Sequence, residues 1–474
     1  MALQRPTDRK PLPKWMWWIA GLFLFAVVSF LIFLFINEGA SRAKWDQFRA
    51  EWEAKGEVFE WAAFIPPPIP DVENLAMAPV MRDLKAIEVA QFRLIKGFKV
   101  SKQPGWADGK ARDLTVLFPS LSKEEAAKTI AAAMDERAEL LAQITSATRE
   151  RTKYRFPLDY ALGVRFDIKP VAGVRGLAAL CLQRSRWFHS QGKIDQSFED
   201  WITAAHISNA LGTVPSQLGF MIHHGAFHHS IQSIWELLHS HQLNASQLKE
   251  AQAILADQNF IVRFLEQTRI ERALVVHGLD QLILGNESVA QVWGTNSPLF
   301  NHYPKGWWYE DKRTFCDRQN RAYLYPNGVK AVDTLDIAHC KQIEMAIAQE
   351  IRADITARVL PKNISSNMAA SSISSFAASA LHAETHLRLL RLAFILEQYY
   401  QKHQQFPQSL ARLTPELLET IPLDPVDQQA LRYRPEPNGK GYVLYGVGTN
   451  VTDDGGTKTE DNEGDWVWPM PRTP

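Results

Sequence analysis

Residues 15–36, WMWWIAGLFLFAVVSFLIFLFI, run for 22 positions without a charge. At about 1.5 Å of rise per residue a helix over this run reaches roughly 33 Å, enough for the ~30 Å hydrocarbon core of a bilayer. Trp15, Trp17 and Trp18 gather at one end, where indole rings favour the headgroup layer. Arg5, Arg9, Lys10 and Lys14 precede the run, opposed by Asp8 alone. Basic flanks stay cytoplasmic, so the tail 1–14 is expected inside and the rest of the chain outside. The rival is a cleaved signal peptide, with Ser41-Arg42-Ala43 as a weak small-x-small site. Its apolar core would exceed the usual ~7–15 residues, so a retained anchor is the expectation. In a bacterium this makes a single-pass inner-membrane protein with a periplasmic body.

The 474 residues exceed one ordinary core, so two or three domains are expected. The 52 basic residues are matched by 52 acidic ones, which leaves no electrostatic footprint for nucleic acid. The expected partners are the membrane and an envelope protein of unknown identity. Cys181, Cys316 and Cys340 share no C-x-x-C spacing, so they supply neither a zinc ribbon nor a disulfide framework. A Cys316–Cys340 bridge stays open in an oxidising compartment; three buried thiols are the plainer expectation.

Beyond the span the patterns predict a mainly α chain: a helical-hairpin body closed by a small C-terminal α+β module. Residues 40–118 read as a tether and mixed segment. Trp45, Phe48, Trp52 and Phe59 recur at near-helical spacing, predicting an amphipathic helix that packs on the body. FIPPPIPD then stops any helix, and DLTVLFP is the best strand candidate before residue 119. The body, 119–367, opens with one long helix from Ser122, which forms a capping box with Glu125. Residues 174–211 read as helix, Gly192 turn, helix, and resemble one tetratricopeptide-type hairpin, with small residues such as Ala204 and Ala205 on the second helix. No 34-residue repeat follows it. Helices are predicted at 216–240, 245–257 and 260–284. Residues 286–335, rich in Pro, Gly and aromatics, read as a long excursion whose Trp307, Trp308 and Tyr309 have three roles open to them, docking on the core, lining a pocket or touching the membrane interface, with docking the expectation.

Eight of the 14 histidines fall within 189–241. In MIHHGAFHHS, His224 and His228 lie one helical turn apart, a spacing that suits two ligands of a zinc or iron ion. Glu199, Asp200 or His206 would supply a third from the neighbouring helix. Against this, no H-E-x-x-H pattern occurs and the pair borders the apolar stripe Phe220, Phe227, Ile231 and Trp235, where a histidine packs without metal. His382 and His386 in LHAETH repeat the spacing. Nucleophile-elbow, phosphate-loop and dinucleotide motifs are absent, so no catalytic residue is assigned.

From residue 368 a long helix is predicted up to Pro407, then a short one capped by Thr414 with Pro415 at its first position. A strand, an Asn438-Gly439 turn and a second strand follow. FPQSLARL, IPLDP, LRYRP, GYVLYGVG and DDGG in this order resemble the C-terminal globular part of type II secretion pseudopilins of the major class. The likeness spans about residues 383–468, inside a module taken as 368–474. It implies a calcium-binding acidic loop, with Asp453, Asp454, Asp461 and Asp465 as candidate ligands and carbonyls of Gly448–Gly456 completing the shell. Val451 stands where that family usually has glycine, and Gly446 where it has serine. The span also lacks the prepilin signature, so polymerisation as a pilin subunit is not expected. The overall expectation is a membrane-anchored scaffold or docking protein of the envelope, beside a secretion or pilus-like system. A metal-dependent periplasmic enzyme built on His224 and His228 is the alternative.

Overall fold

The computed structural model describes residues 13–82, 121–294, 303–357, 362–457 and 463–468. The strand candidate DLTVLFP lies outside them. Helix α1, Lys14–Glu53, is the one helix among the described residues long and apolar enough to cross a membrane, with mean hydropathy 3.0 over its apolar window. It does not end where the apolar run ends. Its span residues are exposed, whereas Trp45 further along is buried and Phe48 and Trp52 are half-buried. The amphipathic helix expected after the span is thus the second half of the same rod.

The body comprises α2 (Lys123–Glu136), α3 (Ala138–Glu150), α4 (Lys169–Ser190), α5 (Ile194–Leu211), α6 (Gln217–His239), α7 (Ala245–Leu255), α8 (Phe260–Leu284), α9 (Lys305–Gln319), α10 (Ile337–Ala357) and α11 (Ile373–His403). The fold is mainly α, as the patterns predict. Ser122 and Glu125 form the expected capping box. The single helix expected after it is broken at Arg137, whose backbone (φ −104°, ψ 3°) leaves the helical region and separates α2 from α3.

The predicted hairpin is α4–α5, turned by Gly192 at φ +70°. Arg184 of α4 donates twice to the buried Asp200 of α5, at 2.8 and 2.6 Å, and the Ser185 and Ser197 hydroxyls each donate to the other's carbonyl. α6, α7 and α8 match their predicted ranges to within a few residues.

The long excursion is a correction. Residues 305–319 form α9, continued by a π turn at Asn320–Leu324, and a short helix occupies Val289–Trp293. Hydropathy hides α9 because its buried face carries Asp311, Lys312, Arg318 and Gln319 beside Trp308 and Phe315. Trp308 does dock, in a core with Trp45, Phe59, Val275 and Phe315. The three cysteines are buried free thiols.

At the C-terminal end, strands β1 (Arg432–Pro435), β2 (Tyr442–Gly446) and β3 (Trp466–Val467) form an antiparallel sheet in that order. Tyr433 pairs with Leu444 in the predicted hairpin, and Gly439 makes its turn at φ +69°. The short helix expected from Pro415 is a second correction: a 3-10 turn at Leu410–Leu413 runs into turns. Asp424 of the IPLDP stretch is buried and accepts from the Val447 and Val426 amides and from Arg432, tying this segment to the end of β2. One hydrophobic core runs through α4–α8 and α11 into β2 and β3, so residue 368 marks no break in packing.

Glu57, just past α1, fastens the rod to the body. Its side chain is fully buried and is bonded by Arg272, by Arg269 Nε at 3.2 Å and by the Tyr325 hydroxyl at 2.8 Å. Burial pushes this carboxyl up, but Arg272 and Arg269 with the Tyr325 hydrogen bond outweigh it and hold it below its usual 4.5. A depressed carboxylate stabilises the fold above its unfolded pKa, and that contribution is lost as pH falls through the lower folded value. Glu57→Gln leaves Arg272 buried without its counter-charge, so denaturant unfolding of the detergent-solubilised chain should lose about 3–5 kcal/mol at neutral pH. The gap to wild type should close under acid, below pH 4.5.

Candidate metal centre

α6 begins where the Ser216 hydroxyl accepts the Gly219 amide at 3.0 Å. Its apolar stripe, Phe220, Phe227, Ile231 and Trp235, is buried in the core as expected. The next face of the helix meets α11. The two H-x-x-x-H pairs, which the sequence presents separately, come together there. The His228 ring centre lies 4.7 Å from His224, 4.4 Å from His382 and 5.1 Å from His386. Ligand nitrogens of His224, His228 and His382 all lie within 4.8 Å of one another.

The third histidine of the group comes from α11, whereas the expected third position was on α5, where His206 lies near Arg149, Glu250 and Glu199. Glu199 is held by two bonds from Arg149, and Asp200 by two from Arg184. Each acid is already neutralised by a guanidinium, and neither joins the histidine group. The signal that could have found the true partner was the repeated i, i+4 histidine spacing in two long helices.

Burial pushes the His224 imidazole down to about 4. His228 is driven well below its usual value by burial first, and then by the neighbouring His382, His386 and His224. Both are therefore neutral near pH 7, the form in which imidazole binds metal. His224 Nε2 is buried with no hydrogen-bond partner among the described residues. A buried polar atom left so costs about 1–3 kcal/mol, which a metal ion would relieve. His386 Nδ1 lies 2.9 Å from the His382 carbonyl. Donation to that carbonyl fixes the tautomer and leaves Nε2 as the lone-pair donor.

An all-imidazole set without thiolate or carboxylate suits zinc, copper, nickel or iron. Zn–N bonds of about 2.0–2.1 Å in a tetrahedron need nitrogens about 3.4 Å apart, so small ring rotations would have to draw the three together. On the far side, Trp466 of β3 meets His382 edge to face at 5.0 Å. The C-terminal sheet therefore closes over the histidines.

The acidic loop is built differently. Asp461 lies outside the described residues. Asp453 accepts from the Tyr445 hydroxyl (3.0 Å) and the Gly455 amide (2.9 Å), with Arg432 Nε 3.6 Å away. Asp454 accepts from the Asn450 amide group at 2.9 Å. Asp465 is 2% exposed, and one of its oxygens accepts from the Gly456 amide at 2.7 Å. Burial, with the nearby Asp453 and Asp454 charges, raises its carboxyl pKa. Gly446 has a steric reason, since a Cβ there would lie 2.7 Å from Thr385 and 2.8 Å from Asp424.

No protein-family model matches the chain, no curated protein is significantly similar to it, and no solved structure matches it. The residues themselves carry the functional argument.

Val451 adopts φ +57°, the left-handed geometry that glycine would take without strain. A β-branched side chain there costs roughly 1–2 kcal/mol, while glycine adds back unfolded-state entropy. Val451→Gly should therefore stabilise the fold by up to about 1 kcal/mol, read as a rise in the midpoint of denaturant unfolding.

Proposed function

We propose that the chain is a single-pass membrane protein of the bacterial envelope whose extracytoplasmic body holds a transition-metal ion, with zinc the expected occupant, between α6 and α11. Its work is docking, with the metal as a clamp. The observation that carries this reading is the meeting of His224, His228 and His382 from two helices, with His224 Nε2 buried and unsatisfied. The neutral imidazoles of His224 and His228 are in the protonation state that metal binding requires. An ion there would tie α11, and through Trp466 the closing sheet, to the α4–α6 core.

Retention of the anchor is supported by the continuity of α1. Cleavage at Ser41–Ala43 would remove Ser41, which is buried and donates to Glu310 at 3.2 Å. Cytoplasmic placement of the N-terminus rests on the basic flank of the span. Reporter fusions at the two ends of the chain would test it: a fused periplasmic enzyme should be active at the C-terminus and silent at the N-terminus. Association with a secretion or pilus-like system rests on the resemblance of the C-terminal segment alone. Calcium in the acidic loop shares that basis.

The enzymatic reading uses the same histidines. Three imidazoles leave a fourth position on a tetrahedral ion for water, whereas ligation by His386 as well would close it.

The test is elemental mass spectrometry on the full chain, purified in detergent without a polyhistidine tag. About one zinc per chain is expected, lost in His228→Ala and His382→Ala variants whose circular dichroism is unchanged. Added zinc at about 100 times its Kd should stabilise the wild type by about 2.7 kcal/mol and leave the variants unmoved. A wild type with no bound metal and no zinc-dependent shift in Tm would sink the proposal. The absorption spectrum of a cobalt-substituted protein would separate a closed four-nitrogen site from one with bound water.

A further inference from the structure

The apolar residues of α1 are exposed as far as Phe35 and Ile36, at 80% and 63%. Burial begins at the next residues, Asn37 and Glu38. What covers them is the first turn of α9. A Cβ on Gly306 would lie 2.5 Å from Asn37 Oδ1 and 3.0 Å from the Glu38 Cα, so the two backbones pass too close for any side chain at that position. Further along, Glu310 accepts from Ser41, and Lys312 Nζ lies 4.5 Å from the centre of the Trp45 ring. Contacts at 306 with 37–38, 310 with 41 and 312 with 45 advance together, so α9 runs parallel to α1. Its N-terminal end is therefore the end nearest the apolar span.

That end carries an aromatic and basic edge. Tyr303 packs on Trp307 and Trp308 with ring centres 4.9 and 4.4 Å away, and Lys305 is exposed. Lys362 lies 5.0 Å from the centre of the half-buried Trp307 ring and is anchored by Glu310 at 3.1 Å. On a helix rising about 1.5 Å per residue, Asn37 is within about 3 Å of the end of the apolar run. The headgroup layer on each side of a bilayer is roughly 5–7 Å deep. Tyr and Trp rings favour that layer, and a lysine there meets lipid phosphates.

We propose that the body is seated directly on the bilayer, with Tyr303, Lys305 and Trp307 in the phospholipid headgroup layer beside the exit of α1. This rests on the reading of α1 as a retained membrane span. The occupant of the edge is the lipid surface that α1 itself crosses, because the rigid pairing of α1 with α9 sets the height of the edge. A tilt of about 20°, usual for a single span, moves a point one helix diameter (about 10 Å) from the axis by about 3 Å, less than the depth of the headgroup layer.

The test uses the full chain in nanodiscs of mixed phosphatidylethanolamine and phosphatidylglycerol. Single cysteines are introduced as Val28→Cys, Lys305→Cys and Glu51→Cys and spin-labelled; the native thiols are buried. Glu51 lies on α1 about 22 Å beyond Ile36 and serves as the aqueous reference. Depth is read from collisions with oxygen, which concentrates in lipid, against those with a water-soluble nickel chelate. The expected result is a deep label at 28, a headgroup-level label at 305 and an aqueous label at 51. A label at 305 as accessible to nickel as the one at 51, with 28 still deep, would overturn the seat while leaving the anchor intact. An aqueous label at 28 would remove the anchor and the seat together.

Discussion

Glu57 is a carboxylate taken wholly out of water at the point where the α1 rod gives way to the body. Three side chains from two elements converge on it: Arg269 and Arg272 from α8 and Tyr325 from the turn after α9. Arg272 is itself buried, lies over the Phe59 ring at 4.8 Å and bonds Asn320. A buried ion pair often adds little net stability over an apolar replacement. Its effect lies in exclusion, because any arrangement that pulls α1 away from α8 strands two charges in a low dielectric. The aromatic cluster of Trp45, Phe48 and Phe59 packs beside it at the same junction. The direction of the rod and the position of α9 both follow from it.

Legibility in the sequence tracked apolar patterning. α1, the α4–α5 hairpin and α6 to α8 were readable because each carries an apolar run or stripe with a cap or glycine turn at its end. α9 was not, since it turns Asp311, Lys312 and Arg318 inward. Asp311, for example, accepts the Ser365 and Ser366 amides at 2.9 and 3.1 Å. A helix that buries its charges among other polar groups has no hydropathy signature. The Thr414-Pro415 pattern satisfied a helix-start rule, yet the segment runs as turns and seats Leu417, Leu418 and Ile421 half-buried against the core without a helix.

The histidine centre shows a related limit. Each pair was visible, and so was its spacing. What local pattern could not supply was that α6 and α11 pack face to face, a fact of tertiary structure set by contacts such as Trp201 of α5, which donates to the Ser230 carbonyl of α6 and meets Phe394 of α11. The acidic loop was visible for the opposite reason, because its Asp, Asn and Gly residues sit together in the chain. Proximity in sequence made it the easier reading. The hydrogen bonds of Asp453 and Asp454 give those carboxylates partners within the loop and the sheet.

The closing sheet has a consequence for how the molecule is made. Trp466, which covers His382, follows α6 only after the whole of α7 to α11. A chain made from its N-terminal end presents α6 long before α11 and β3 arrive. The two histidines of α6 then wait, on an unfinished core, for partners that come later. The four-histidine group thus assembles only after α11 has joined the core. An ion held there would enter late, when the helices on both sides of it have packed.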